Sequence, residues 1–323
     1  MKIGIAYDTA EMYDLKEDKL YYDFAEQTSI NRLCYLLNKI GYDAELVGNV
    51  DNVLYKIKNN EFDFQLVYNT VEGIGSRNRE GLLPAVLEAY NIPYMGTDSF
   101  GISLTLNKEL TKILAENLNI KTPKYFMADI KTTNAQIEQS IRTLKLPIIL
   151  KPNFEGNSSG ISVVNTYDEA FRAIKELILK YDTPILCEEF IIGQEITVPI
   201  IGNTDDEMLS IATTIDIQRN GYFWLDVNCK VFGDYKNIPI TSKILNEELF
   251  LISKKLFYAI GCRDFARFDF RIDENNSIFF IEANPLPALF QGGSFDILGQ
   301  SIGLSFEETL DLIIKTSKKR LNI

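Results

Sequence analysis

The sequence contains no histidine and only four cysteines in 323 residues. The absence of histidine excludes every mechanism that uses a histidine base, nucleophile or metal ligand. The cysteines (Cys34, Cys187, Cys229 and Cys262) are far apart and form no Cys-x-x-Cys pair. Disulfide bonds and a zinc site are therefore not expected, and the cytoplasm is the expected location.

The chain is also short of long apolar runs and of positive charge. No apolar run approaches the roughly 20 residues that a membrane-spanning helix needs. The apolar segment Lys2–Tyr7 lacks a cleavage pattern and is predicted to be a strand rather than a signal peptide. The net charge of −12 argues against nucleic-acid and anionic-membrane partners. With 46% apolar and 24% charged residues, the composition is that of a globular protein with room for two or three domains.

Apolar strand-like runs alternate with helix-like stretches in the first hundred residues. Strands are predicted at 2–7, 44–47 and 64–68, and helices at 27–40 and 82–90. This order predicts an α/β layer with a parallel sheet, whose carboxyl edge carries the loops at 8–26 and 70–81.

The pattern restarts near residue 97 and becomes strand-rich after about residue 187. It predicts strands at 124–128, 147–151, 160–164, 184–191, 195–201, 208–216 and 222–228, and helices at 108–118, 168–180, 246–260 and 306–317. No flexible linker separates these blocks. We therefore predict three domains packed together, with extents 1–97, 98–187 and 188–323.

Two stretches of alternating residue type, 264–272 and 277–285, are separated by a turn-forming segment rich in aspartate and asparagine. This arrangement predicts an antiparallel hairpin. Folding it symmetrically between Asn275 and Asn276 produces an apolar face. That face pairs Phe268 with Ala283, Phe270 with Ile281 and Ile272 with Phe279.

The other face of the hairpin places Arg267 opposite Asn284 and Asp269 opposite Glu282. Two carboxylates directly across a strand pair repel each other, and we expect a cation to compensate them. Carboxylate and amide oxygens are the ligands of a hard ion such as Mg²⁺, usually together with phosphate oxygens. The alternative is a solvated face with alternating charges. The combination of Arg-x-Asp with Glu-x-Asn-Pro favours the metal site.

Residues 151–160, Lys-Pro-Asn-Phe-Glu-Gly-Asn-Ser-Ser-Gly, join two apolar strands. Such a loop offers N–H donors with little side-chain bulk and suits phosphate oxygens, although an ordinary hairpin turn has the same composition. Lys151 ends an apolar strand and is either a surface residue or a cation facing an anion. Neither GxxxxGK[ST] nor GxGxxG occurs, which excludes the P-loop and dinucleotide-binding motifs.

Residues 187–195 lie where the second block meets the third. Such a run either forms an interdomain hinge or is a plain strand and turn with solvated glutamates. In the first case its backbone pairs with an adenine edge and a downstream carboxylate binds the ribose.

In order and spacing, these motifs resemble those of the ATP-grasp ligases, most closely the D-alanine–D-alanine ligases. The resemblance rests on Lys108, Lys151, the loop 155–160, residues 188–191 with Glu195, Lys230, and the polar face of the hairpin. It extends to the first domain, where residues 69–81 and the later Ile-Pro-Tyr-Met-Gly at 92–96 are similar to that family. The resemblance therefore covers essentially the whole chain.

The resemblance implies an α/β (α+β) three-domain ATP-grasp fold with an N-terminal parallel-sheet (preATP-grasp) domain, and ATP between the other two domains. The implied ATP-binding residues are Lys108, Lys151, Glu155, Gly156, Ser159, Gly160, Glu188, Glu189, Phe190, Ile191 and Glu195. Two Mg²⁺ ions, replaceable by Mn²⁺, would be held by Asp269, Glu282 and Asn284. The implied catalytic residues are Arg267, Lys230, Asn157, Ser158 and Glu26.

The implied reaction transfers the γ-phosphoryl group of ATP to a carboxylate, after which an amine attacks the acyl-phosphate and forms an amide. Arg267 would stabilise the acyl-phosphate and the later oxyanion. No histidine is needed, because positioning and charge neutralisation dominate this chemistry. The expected partners are small amino-acid or peptide substrates and, as in the family, a second copy of the chain.

The sequence departs from the D-alanine–D-alanine ligases on the substrate side. Asn157 replaces a catalytic serine, Val231 replaces a tyrosine after Lys230, and residues 285–294 lack the usual His-Ser contact. Either Glu26 or Glu72 takes the amine-binding role in this alignment. We expect D-alanine–D-alanine ligase-like activity. The alternatives are a specialised-pathway ligase for other amino acids or peptides and a non-catalytic nucleotide-binding module, which the intact hairpin residues disfavour.

Overall fold

A computed structural model describes residues 1–13, 24–156, 159–217 and 235–323. The N-terminal part of the chain forms a three-stranded parallel sheet of order β2-β1-β3. The strands are β1 (Lys2–Tyr7), β2 (Asp43–Gly48) and β3 (Leu66–Thr70), with a short parallel bridge from Val67 to Tyr94. Helices Gln27–Lys39, Val50–Lys58 and Leu82–Ala89 pack against this sheet, and 3-10 turns lie at Ala10–Met12 and Arg79–Gly81. The predicted parallel sheet is confirmed.

The first sheet shares its core with the end of the chain. Apolar side chains of helices Gln27–Lys39 and Phe306–Leu321 belong to one buried cluster over β1. Near the end of the last helix, Arg320 binds the buried Asp264 carboxylate through Nε and Nη2, at 2.7 Å each. Asp264 also accepts the Gly96 N–H at 2.8 Å. These contacts join the first layer to the C-terminal part of the chain.

The middle of the chain forms an antiparallel sheet of order β4-β7-β5-β6. Its strands are β4 (Tyr125–Ala128), β5 (Ile148–Pro152), β6 (Ser162–Val164) and β7 (Ile185–Glu189). Helices Ser99–Leu106 and Lys108–Asn117 precede it, and helices Asn134–Ile141 and Tyr167–Tyr181 pack against it. A capping box at Thr166 fixes the start of the longest of these helices.

A third, antiparallel sheet has the order β11-β10-β8-β12-β13, with β9 paired to β8. Its strands are β8 (Gly193–Ile201), β9 (Leu209–Ser210), β10 (Thr213–Ile217), β11 (Tyr235–Pro239), β12 (Phe265–Asp273) and β13 (Ile278–Asn284). Helix Lys243–Ile260 packs on the apolar face of this sheet, and helix Ser294–Ser301 follows β13. No helix within the described ranges has both the length and the apolar character needed to cross a bilayer.

The hairpin of β12 and β13 has the predicted register only in the half that lies away from its turn. Asp269 pairs with Glu282, but Phe270 pairs with Phe280 rather than Ile281, and Ile272 pairs with Ile278 rather than Phe279. The reason is a three-residue turn after Asp273 with Asn276 at positive φ, followed by a bulge beside Asp269. The bulge leaves Ile281 without a partner in the ladder.

Several short elements are not predicted by the sequence patterns. These are helices Val50–Lys58, Ser99–Leu106, Asn134–Ile141 and Ser294–Ser301 and the strand β11. Each of these helices makes only about two turns, too few for the apolar period to stand out. The predicted strand 208–216 is divided into β9 and β10, and the predicted strand 222–228 lies outside the described residues.

Candidate active site

A cleft of about 410 Å³ lies between the second and third sheets. Its walls come from β5 and β7 on one side and from β8, β12 and β13 on the other, and Glu72 and Glu80 of the first layer also line it. Most of the predicted site residues meet here. They are Lys108, Lys151, Glu155, Gly156, Glu188, Glu189, Phe190, Ile191, Glu195, Arg267, Asp269, Glu282 and Asn284.

The remaining predicted site residues differ in their placement. Ser159 lines a small adjoining pocket with Lys108, Lys151 and Glu282. Gly160 lies in the same turn at φ +71°, where a Cβ would meet Pro152 Cγ at 2.7 Å, so the turn itself requires glycine. Glu26 is exposed at the N-cap of helix Gln27–Lys39 and does not line the cleft. The predicted catalytic residues Asn157, Ser158 and Lys230 lie outside the described residues.

Asp269 and Glu282 stand opposite each other on neighbouring strands, and both line the cleft. The Asp269 carboxylate accepts hydrogen bonds from Thr197 Oγ1 at 2.6 Å and from Asn284 Nδ2 at 2.9 Å. It also accepts two from Arg267, through Nε at 3.0 Å and Nη2 at 2.8 Å. Burial alone would lower the pKa of Arg267, but the adjacent Asp269 carboxylate outweighs it and raises that pKa. Arg267 therefore provides part of the positive charge that the sequence pattern assigns to a cation alone.

The acidic face of the hairpin fits a divalent cation. Glu282 is half-buried, and no donor from the described part of the chain bonds to its carboxylate. Asn284 uses its N–H₂ group on Asp269, which leaves its amide oxygen available. Two carboxylates and one amide oxygen are a hard donor set of the kind Mg²⁺ prefers. Within the described residues, no group of three or more cysteine or acidic side chains is placed to hold a metal ion by itself. Phosphate oxygens or water would therefore complete the coordination shell.

A buried ion triad lies on the opposite wall. Glu188 is 1% exposed and pairs with Lys151 and, at 2.6 Å, with Lys112, which is fully buried. Burial tends to raise the pKa of Glu188, but the two ammonium groups outweigh it and hold that pKa below its ordinary value. Lys112 also donates to Thr122 Oγ1 at 2.7 Å. The triad carries a net positive charge, which Lys151 presents at the cleft.

The loop predicted to cover phosphate is held at its start from two directions. Lys108 Nζ donates to the Glu155 carbonyl from the start of helix Lys108–Asn117. Arg79 of the first layer is 3% exposed and donates to the Phe154 carbonyl at 2.6 Å. The first layer and the middle sheet therefore both fix where this loop leaves β5.

The predicted adenine hinge, residues 188–191, contains a backbone N–H group that is available to a ligand. Ile191 lies between β7 and β8 and lines the cleft. No acceptor for its N–H occurs within the described residues. The neighbouring amides are engaged, since Glu189 N–H donates to the Lys124 carbonyl and Phe190 N–H to the Pro147 carbonyl, at 2.9 Å each. One free N–H at the edge of the cleft suits a purine ring nitrogen, and the hinge therefore fits the adenine of ATP.

Comparisons with known proteins agree with this geometry. A family model described as the D-ala D-ala ligase C-terminus matches residues 114–315. A D-alanine–D-alanine ligase of Haemophilus ducreyi is 31% identical over 284 residues, which cover 87% of this chain and 89% of the relative. One of Carboxydothermus hydrogenoformans is 30% identical, with coverage of 86% and 88%. The chain belongs to the D-alanine–D-alanine ligase family.

Solved structures share the fold of this ligase. The D-alanine–D-alanine ligase of Bacillus anthracis complexed with ATP has a TM-score of 0.74 at 21% identity, covering 99% of this chain and 97% of that one. The VanG D-Ala:D-Ser ligase of Enterococcus faecalis has a TM-score of 0.75 at 20% identity, covering 98% and 99%. The predictions of an ATP-grasp fold and of an ATP-dependent ligase that forms an amide bond are confirmed.

Tyr235 and Asn237, which the sequence patterns do not single out, also line the cleft. They do so together with residues 285–288 and Ser294 of the segment that departs from the family. Asp8, fully buried at the end of β1, accepts the N–H groups of Glu72 at 3.0 Å and Gly73 at 2.8 Å. Burial raises the pKa of Asp8 above its ordinary value, although the hydrogen bonds from Glu72 and Gly73 by themselves would lower it. An acidic residue directly after a buried strand was the available signal for this contact.

Proposed function

We propose that this ligase joins two amino acids at the expense of ATP, with D-alanine as the leading substrate for both positions. The arrangement of charged and polar groups in the cleft supports this proposal. There the oxygen ligands of the hairpin lie across from the cation presented by Lys151, and the free N–H of the hinge lies at the edge. The 31% identity to a D-alanine–D-alanine ligase over most of the chain supports D-alanine.

In the proposed mechanism, Lys108 and Lys151 bind the phosphates of ATP while the loop 155–160 excludes water. The Ile191 N–H binds adenine and Glu195 binds the ribose. Asp269, Glu282 and Asn284 would hold Mg²⁺, which when bound would supply neutralisation of phosphate charge and polarisation of the γ-phosphoryl group. Arg267 stabilises negative charge at the acyl group during phosphate loss. The roles of Asn157, Ser158 and Lys230 remain predictions from the family pattern.

Release of ADP that depends on an added amino acid tests the proposal. With ATP and Mg²⁺ present, D-alanine should stimulate ADP release and give a product with the mass of a dipeptide. A panel of D- and L-amino acids and peptides, read by product mass, tests the specialised-pathway alternative, which the changed segment 285–294 favours. Bound ATP without amino-acid-dependent turnover across the panel would identify a nucleotide-binding module instead.

We propose Glu72, rather than Glu26, as the group that binds the substrate amine. Glu72 lines the cleft and its backbone is fixed by Asp8, whereas Glu26 is exposed on a helix N-cap. Glu72→Gln should raise the KM for the amino acid by about 10-fold or more, the effect of losing a hydrogen bond to a charged group. Glu26→Gln, the matched control, should change it by less than about twofold. The reverse order in steady-state kinetics would assign the amine to Glu26.

The proposal also includes a homodimer and a cytoplasmic location, as the family resemblance and the cysteine pattern predict. Light scattering on the purified protein tests the dimer. A mass of one chain at concentrations of tens of micromolar would refute it.

A further inference from the structure

Arg271 contacts several of the residues proposed to bind the adenosine part of ATP. It lies on β12 two residues beyond Asp269, and its side chain is 7% exposed. The predicted site residues do not include it. Its Nε donates to the Ile191 carbonyl at 2.6 Å, and its Nη2 donates to the Gly193 carbonyl at 2.9 Å.

The same guanidinium reaches two further predicted nucleotide contacts. Its Nη1 donates to Glu195 Oε2 at 3.2 Å. Its central carbon lies 4.7 Å from the centroid of the Phe190 ring. One side chain thus fixes the backbone of the hinge, its aromatic residue and the carboxylate proposed for the ribose. Only arginine has a planar fork of donors able to do this, since lysine offers a single point charge.

We infer that Arg271 is a positioning residue for adenosine, holding the hinge 190–193 and Glu195 in one geometry. The inference rests on the ATP site of the proposed function. By binding the Ile191 and Gly193 carbonyls, Arg271 fixes the backbone that directly follows the Ile191 N–H. It therefore limits where that N–H, which belongs to the preceding peptide group, meets adenine. In the proposed mechanism Lys108 and Lys151 bind the phosphates, and Arg271 contacts neither of them. Loss of Arg271 should therefore weaken adenosine binding and leave phosphate binding unchanged.

Arg271→Met tests this with ADP and inorganic pyrophosphate as probes. Isothermal titration should show the Kd for ADP rising about 10-fold or more, and the KM for ATP rising equally. The kcat at saturating ATP and the inhibition constant for pyrophosphate should stay within about twofold, since neither involves the hinge. Arg271→Lys should give a smaller rise in both ADP Kd and ATP KM.

Arg320→Lys is the matched control, because Arg320, like Arg271, binds a carboxylate and a backbone carbonyl but does not line the cleft. It should lower Tm without changing the Kd for ADP. An unchanged ADP Kd in folded Arg271→Met, or an equal change in Arg320→Lys, would overturn the inference. If Arg271→Met does not fold, Arg271→Lys decides by the same comparison. Failure of the unaltered protein to bind ADP would refute the proposed function instead.

Discussion

Replacing Glu282 by glutamine should lower kcat by at least about 10²-fold, while the free energy of unfolding changes by less than about 1 kcal/mol. Glu282 faces Asp269 across the strand pair, and no described donor bonds to its carboxylate. The substitution keeps the shape of the side chain and removes one negative charge from the proposed cation site. It also relieves the repulsion from Asp269, so the fold should not suffer.

The control for this prediction is Glu274→Gln, on the same hairpin but exposed in the turn away from the cleft. Single-turnover and steady-state assays over a range of Mg²⁺ concentrations should show a loss of rate in Glu282→Gln only. Higher Mg²⁺ should restore part of that rate if the lost charge acts on the ion. If Glu282→Gln turned over at the wild-type rate, the hairpin would have no role in catalysis.

Glu188→Gln should destabilise the protein by about 3–5 kcal/mol, the penalty for leaving buried charges without their partner. The substitution leaves the ammonium groups of Lys112 and Lys151 close together with no anion between them. Lys112 cannot reach solvent, since its side chain is fully buried. Urea-induced unfolding, followed by circular dichroism, measures the change directly.

The double variant Lys112→Met/Glu188→Gln separates charge imbalance from loss of packing. It removes one of the two unpaired cations, and should therefore be more stable than Glu188→Gln alone. Lys151 then remains beside the cleft, where water reaches it. A Glu188→Gln protein within about 1 kcal/mol of the unaltered protein would show that the triad does not contribute charge compensation in the folded state.

The hairpin illustrates how far the sequence supports a structural prediction. Alternation of residue type is local, so the strands and the pairing of Asp269 with Glu282 could be predicted from it. The shift to Phe270 with Phe280 could not, because the turn conformation at Asn276 decides the register there. The predicted pairing of Asp269 with Glu282 is correct despite this error, because the bulge beside Asp269 cancels the shift that the turn introduces.

The residues missed in the cleft share a different property. Arg271, which lines the cleft, and Lys112, which lies buried behind its wall, are ordinary charged residues in the sequence. Only the packing of β7 and β8 brings their partners to them. The choice between Glu26 and Glu72 likewise depends on packing, because only the folded chain shows that Glu72 lines the cleft and Glu26 does not. The position of Asp8 directly after a strand marks it as a candidate, but a single sequence does not show that its partner is Glu72, 64 positions away.

The position of bound Mn²⁺ in a crystal grown with ADP decides whether the β12–β13 hairpin holds the metal, since Mn²⁺ is located by its anomalous scattering. We expect at least one ion in contact with oxygens of Asp269, Glu282 or Asn284 and with a phosphate oxygen of ADP. Bound ADP with its phosphates away from the β12–β13 hairpin, or Mn²⁺ bound only elsewhere, would contradict this expectation.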